Sequence, residues 1–128
     1  MTRIVLLRHG QTEWNRVERF RGRAELALDG VGLAQAEAAA AHIAGWGPVA
    51  IYSSPLKRAV ATAEAIASAH GLEVRVDEGL IEMDIGEMEG LTFQQVRERH
   101  PRFLQAWLGG QAVSEPMPGG ERLLDVQE

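Results

Sequence analysis

A cation beside an imidazole is the first chemically pointed feature of this chain. Arg8 and His9 stand where an apolar run, Ile4-Val5-Leu6-Leu7, gives out, and Gly10 follows them. A guanidinium grips phosphate oxygens in a forked geometry and an imidazole can attack phosphorus, so the pair points to phosphate chemistry. As residue types alone they would also serve as two surface polar residues closing a strand. Arg58 is a second candidate. It falls in the first turn of an expected helix, where unpaired N–H groups already favour an anion and a guanidinium adds bidentate recognition. As a plain surface cation it would be mildly disfavoured there by the helix dipole. Phosphate-ester cleavage also needs an acid to protonate the departing oxygen, and like charges nearby favour the protonated form of a carboxyl. Residues 73–89 hold seven acids and only Arg75, a net charge of −6. Glu78, Glu82, Asp84, Glu87 and Glu89 all lie in this run, and on residue type alone each reads more readily as a solvated surface group than as an acid catalyst.

The elements that must position these groups follow from periodicity. Ile4–Leu7 is too short for a helix and reads as a strand buried on both faces. It would deliver Arg8 and His9 at its carboxyl end, where ligands gather in open α/β sheets. Residues 16–28 lack helical periodicity and read as an ordered, arginine-rich loop. Asp29-Gly30 opens a helix through Ile43, with Leu33, Ala36, Ala40 and Ile43 on its inner face, and Gly45 and Gly47-Pro48 stop it. Val49–Tyr52 reads as a second buried strand. Ser54 as N-cap and Pro55 at the first helical position start the helix that carries Arg58, with Leu56, Val60, Ala63, Ile66 and Ala67 as its stripe and Gly71 as its stop. Val74–Val76 is a third strand, nearer a sheet edge. Thr92 caps a short helix that His100-Pro101 interrupts, and Phe103, Leu104, Trp107 and Leu108 form a further apolar face. Gly109 through Pro118 is a loop, and an amphipathic helix begins at Leu123 and runs uncapped toward Glu128. His42 reads as a packing or helix-dipole residue and His100 as a surface residue.

Composition bounds the rest. One domain is expected from 128 residues, with an ordinary 45% apolar and 24% charged content. A net charge of −5 argues against general nucleic-acid binding. Residues 1–23 nonetheless hold six arginines against Glu13 and Glu18, either a solvated face or a focused anion site. Without cysteine there is no disulfide framework, thiol nucleophile or zinc–thiolate site, and no membrane span or signal pattern is read, so a cytoplasmic location is expected.

Leu7-Arg8-His9-Gly10-Gln11-Thr12-Glu13-Trp14-Asn15 resembles the signature of the histidine phosphatase superfamily, the phosphoglycerate mutase-like phosphatases and mutases. Leu80-Ile81-Glu82 through Glu89-Gly90 resembles its Leu-x-Glu-x-x-x-Gly-x-x-Glu-Gly element, and Pro118-Gly119-Gly120-Glu121 its Pro-Gly-Gly-Glu motif, with Arg122 where serine is usual. The resemblance implies an α/β fold, a three-layer α/β/α sandwich around a mostly parallel sheet. It implies His9 as nucleophile, Arg8, Asn15 and Arg58 as phosphate holders, Glu82 as proton donor, and Arg21 and Gly22 in a loop over the pocket that touches substrate. The residues before Gly109 would be part core and part lid. Neither metal nor cofactor is implied, since arginines take the role of magnesium. The partner implied is a small-molecule phosphate ester and, as one option, a second copy of the chain.

The family's second histidine, in a Ser/Thr-His-Gly context after a further strand, has no counterpart here. His70-Gly71 imitates it but stands in the wrong order. The chain thus resembles one histidine phosphatase domain over residues 1–128, incomplete at its C-terminus. The implied activity is a phosphomonoester hydrolase working through phosphohistidine, of the small bacterial kind that includes α-ribazole-phosphatase-like enzymes. The alternatives are a cofactor-dependent phosphoglycerate mutase, or a non-catalytic phosphate-binding module if the natural chain ends at Glu128.

Overall fold

The computed structural model describes residues 1–127. Along the chain run α1 (Glu13–Arg16), α2 (Gly30–His42), β1 (Ile51–Ser53), α3 (Lys57–His70), β2 (Val74–Val76), α4 (Phe93–Arg99), α5 (Pro101–Ala106) and α6 (Leu123–Gln127). They fall into two compact units, residues 1–12 with 25–80, and residues 13–24 with 81–127.

In the first unit, β1 and β2 pair in parallel with Ile51 opposite Val74 and Ser53 opposite Val76, and α3 is the crossover between them. Such a strand–helix–strand unit is what parallel pairing demands, because the chain must return to the same end of the sheet. Asp29 caps α2, its Oδ1 accepting the Gly32 N–H at 2.7 Å. Gly71, at φ 62°, ends α3 as expected. Ala36 and Ala40 on α2 and Ala63 and Ala67 on α3 are buried, small side chains that let two helices approach closely, and the larger Ile66 on α3 is buried as well. Leu33, expected on the inner face of α2, is instead exposed.

Two strand expectations are corrected. Residues 4–7 form no strand: their backbone makes no ladder hydrogen bond to another described residue, and Ile4 and Leu6 are 79% and 92% exposed rather than buried. An apolar, β-branched run favours extension but becomes a strand only beside a partner. Residues 49–50 likewise stay outside β1, because β2 offers only three residues to pair with. The start of α3 also moves. Ser54 Oγ accepts the Leu56 N–H at 3.3 Å and closes a turn, so the helix begins at Lys57 with Leu56 at its N-cap.

In the second unit, Met83, Ile85, Met88, Val96, Phe103 and Met117 form the core, with Phe20, Leu91 and Trp107 against it. Thr92 caps α4 in a full capping box with Gln95, and Pro101 starts α5. Phe103 is buried and Leu108 exposed, a division of that apolar face between core and surface. His100, expected at the surface, is only 19% exposed and lies 3.8 Å from Glu87. α6 begins at Leu123 as expected, whereas the uncapped end expected at Glu128 lies outside the described residues. Among the described residues no helix is long and apolar enough to cross a membrane.

Candidate functional site

In the first unit the backbone after Leu7 is fixed group by group. The half-buried His9 has its Nδ1 2.7 Å from the Gly10 carbonyl oxygen. A carbonyl can only accept, so Nδ1 carries the ring proton and the lone pair of the neutral imidazole resides on Nε2. The Gly10 N–H donates to Thr62 Oγ1 at 3.0 Å, and the Thr62 hydroxyl donates to the Arg58 carbonyl at 2.8 Å. His9 is thereby tied to the turn of α3 that carries Arg58, itself 2% exposed. Burying a guanidinium is costly, and Arg58 sets a buried positive charge on this turn of α3. Arg8 is exposed.

The next residues are held as tightly. The Gln11 N–H donates to Gln35 Oε1 at 2.9 Å, and its carbonyl accepts the Asp29 N–H at 3.0 Å. Gly10 and Gly32 let the two backbones pass: a Cβ on Gly10 would lie 2.9 Å from the Gly32 carbonyl carbon, and one on Gly32 would lie 2.8 Å from the Gln11 nitrogen. In an ordinary helix, glycine to alanine is stabilising by about 1 kcal/mol. Here the methyl meets main chain, so Gly32→Ala is expected to destabilise by about 1–3 kcal/mol. Denaturant unfolding of the intact protein checks this, and an unchanged or raised midpoint would contradict it.

In the second unit, Asn15 lies half-buried on α1 and Arg21 half-buried in the loop that follows. Gly22 is buried at φ 51°, and a Cβ there would stand 2.6 Å from Ile85 Cγ1, so a side chain is excluded. Glu82 is exposed, with Oε1 accepting the Met83 N–H at 2.8 Å. The arginine excess is largely engaged with protein acceptors. Arg16 Nε donates to Glu13 at 2.8 Å, and this bond holds the Glu13 carboxyl below its usual range. Arg19 donates to the Gly90 carbonyl at 2.6 Å, and Arg21 to the Arg19 carbonyl at 3.1 Å. Arg23 reaches both the Glu82 carbonyl and the Glu121 carboxylate. In the first unit, Arg3 lies over the Trp46 ring, 4.8 Å from its centroid.

The structure thus brings His9, Gly10 and Arg58 together through Thr62, and joins Arg23 and Glu121 to the segment bearing Glu82. Sequence reasoning missed Thr62, although its place one turn after Arg58 was a usable signal. It also missed the link between Arg23 and Glu121, for which sequence carries no local signal. Among the described residues, no group of three or more His, Asp or Glu side chains is placed to hold a metal ion.

A model of the histidine phosphatase superfamily (branch 1) matches residues 4–128. The chain is 47% identical over 126 residues to a bifunctional protein of Mycobacterium tuberculosis, spanning 98% of this chain and 34% of that protein. It is 37% identical over 130 residues to phosphoserine phosphatase 1 of Hydrogenobacter thermophilus, spanning 98% of this chain and 59% of the relative. Among solved structures, the mycobacterial glucosyl-3-phosphoglycerate phosphatase in complex with VO3 superposes with a TM-score of 0.83 at 39% identity, over 92% of this chain and 56% of that one. The chain therefore spans a third to three-fifths of the length of these relatives, and shares over that span the α/β fold expected from its sequence.

Proposed function

The chain belongs to the histidine phosphatase superfamily (branch 1), and from that premise we propose that it serves a phosphomonoester hydrolase acting through phosphohistidine on a small phosphorylated metabolite. The observation that carries this reading is the 2.7 Å bond from His9 Nδ1 to the Gly10 carbonyl. It supports the tautomer that leaves the Nε2 lone pair available for attack, on a backbone that Thr62 fastens to the helix turn of the buried Arg58. The names of two relatives, phosphatases for phosphoserine and for glucosyl-3-phosphoglycerate, support a phosphate ester of a small molecule.

In the proposed cycle, His9 Nε2 attacks phosphorus in line, the P–O ester bond breaks, and the Glu82 carboxyl gives its proton to the departing oxygen. Water then attacks the same phosphorus, the P–N bond breaks, inorganic phosphate leaves, and the water's proton returns to Glu82. Arg8, Asn15 and Arg58 bind the equatorial oxygens, where phosphoryl-transfer catalysis mostly resides. Arg21 and Gly22 contact the substrate. Guanidinium charge does the work a metal ion would do, so turnover is metal-independent, and the expected location is cytoplasmic.

Rapid alkaline quench of the intact protein during turnover of a ³²P-labelled monoester tests the reading. Label that is alkali-stable, acid-labile and located on His9 is expected. Steady turnover with no labelled protein, or with label on serine or threonine, would overturn it.

A further inference from the structure

The segment carrying Glu82 is held from outside by two side chains distant from it in sequence. Arg23 Nε donates to the Glu82 carbonyl at 2.8 Å. Its Nη2 lies 3.2 and 3.3 Å from the two carboxylate oxygens of Glu121. Glu121 Oε2 in turn accepts the Asp84 N–H at 2.8 Å, and the Glu121 N–H donates to the Asp84 carbonyl, also at 2.8 Å. Around this link the two stretches lie backbone against backbone. The Glu87 N–H donates to the Pro118 carbonyl at 2.7 Å, and a Cβ on Gly120 would stand 2.8 Å from the Gly86 nitrogen.

The direction of these bonds is informative. Arg23 and Glu121 fix the carbonyl of residue 82 and both polar groups of residue 84, the main-chain groups on either side of Met83. Between them lies Met83, whose N–H holds Glu82 Oε1 at 2.8 Å. That N–H shares a planar peptide unit with the Glu82 carbonyl that Arg23 holds, and Glu121 holds the two peptides that follow, so the pair sets where the Glu82 carboxyl stands. With Oε1 accepting the N–H, Oε2 is the oxygen left to face the leaving group in the proposed step.

We propose that Arg23 and Glu121 are positioning residues for the proton donor, acting on Glu82 through the backbone of residues 82–84. This rests on the reading of Glu82 as the acid, and the test separates the two. An acid matters in proportion to the basicity of the leaving oxygen. A simple alkyl phosphate needs its alkoxide protonated, whereas p-nitrophenyl phosphate releases a stable phenolate without help. The readout is kcat/KM for both esters in the intact protein, which reports the step in which the leaving group departs.

Glu82→Gln is expected to lower kcat/KM about 100-fold for the alkyl ester and only a few-fold for the aryl ester. Glu121→Gln and Arg23→Lys are expected to lower the alkyl value about tenfold with much less effect on the aryl value, as for a misplaced group rather than a missing one. Added to Glu82→Gln, Glu121→Gln should bring no further discrimination, since it acts through the same carboxyl. If Glu82→Gln discriminates while Glu121→Gln and Arg23→Lys affect both esters equally or neither, the positioning role is overturned and the acid reading stands. If Glu82→Gln treats both esters alike, the acid reading falls and the proposal with it. Should Glu121→Gln fail to fold, Arg23→Lys carries the comparison, because lysine keeps a charge opposite Glu121 but lacks the fork that reaches the Glu82 carbonyl.

Discussion

Replacing His9 with asparagine is expected to lower phosphatase turnover by about 10^4-fold or more while the protein stays folded. Asparagine retains an N–H that can reach the Gly10 carbonyl, the acceptor now 2.7 Å from Nδ1. The change therefore removes the proposed nucleophile with little disturbance of the backbone it stands on. Losing the strength of one half-buried hydrogen bond would cost about 1 kcal/mol at most. Gly10 keeps its bond to Thr62 in either case, because that bond involves the backbone and not the ring. Turnover and a denaturation curve on the same preparation separate the effects. Full activity in the His9→Asn protein would remove histidine from the mechanism, and a lost fold would show that the imidazole also supports the loop.

The second large effect is expected from Arg58→Lys. Lysine preserves the charge but replaces a planar fork by a point donor on a flexible stem, and a transferring phosphoryl group presents paired oxygens that only the fork engages together. A loss of about 100- to 1,000-fold in kcat/KM is expected, the scale seen when one preorganised transition-state donor is removed. Because the effect belongs to the transition state, kcat should carry most of it. Arg58 is only 2% exposed, so the variant should also be modestly less stable as the narrower side chain leaves space behind. A variant that loses stability but keeps kcat/KM would assign Arg58 to packing rather than to phosphate.

What could be read in the sequence was what is local. The signature from Leu7 to Asn15 is contiguous, the Asp29 cap and the Gly71 stop act within one turn, and the Thr92–Gln95 box lies within four residues. The failures have two causes, distant partners and one local competition. Ile4–Leu7 has strand composition, but pairing is a property of two segments and composition describes one. Ser54 is a good helix cap by type, yet its hydroxyl closes the preceding turn, a competition that residue type does not decide. The place of Thr62 one turn after Arg58 marks it for attention, but its partner, the Gly10 N–H, lies 52 residues away and is seen only in the fold. Arg23 and Glu121 stand 98 residues apart, so only folding could bring them into one bond network.

The antiparallel bridge between Arg19 and Thr92 also has a consequence for the order of assembly. The first unit draws mostly on one continuous stretch, residues 25–80, whereas the second must join residues 13–24 to residues 81–127. On a ribosome adding about 5–20 residues per second, the segment from Glu13 to Ala24 waits roughly 4–15 s for the partners of its backbone. Closing so long a loop is entropically slow relative to the local helices of the first unit. Asn15, Arg21, Gly22 and Arg23 all travel on that waiting segment, so the loop that bears them and the Arg23–Glu121 link to the Glu82 segment are expected to form after the first unit during synthesis.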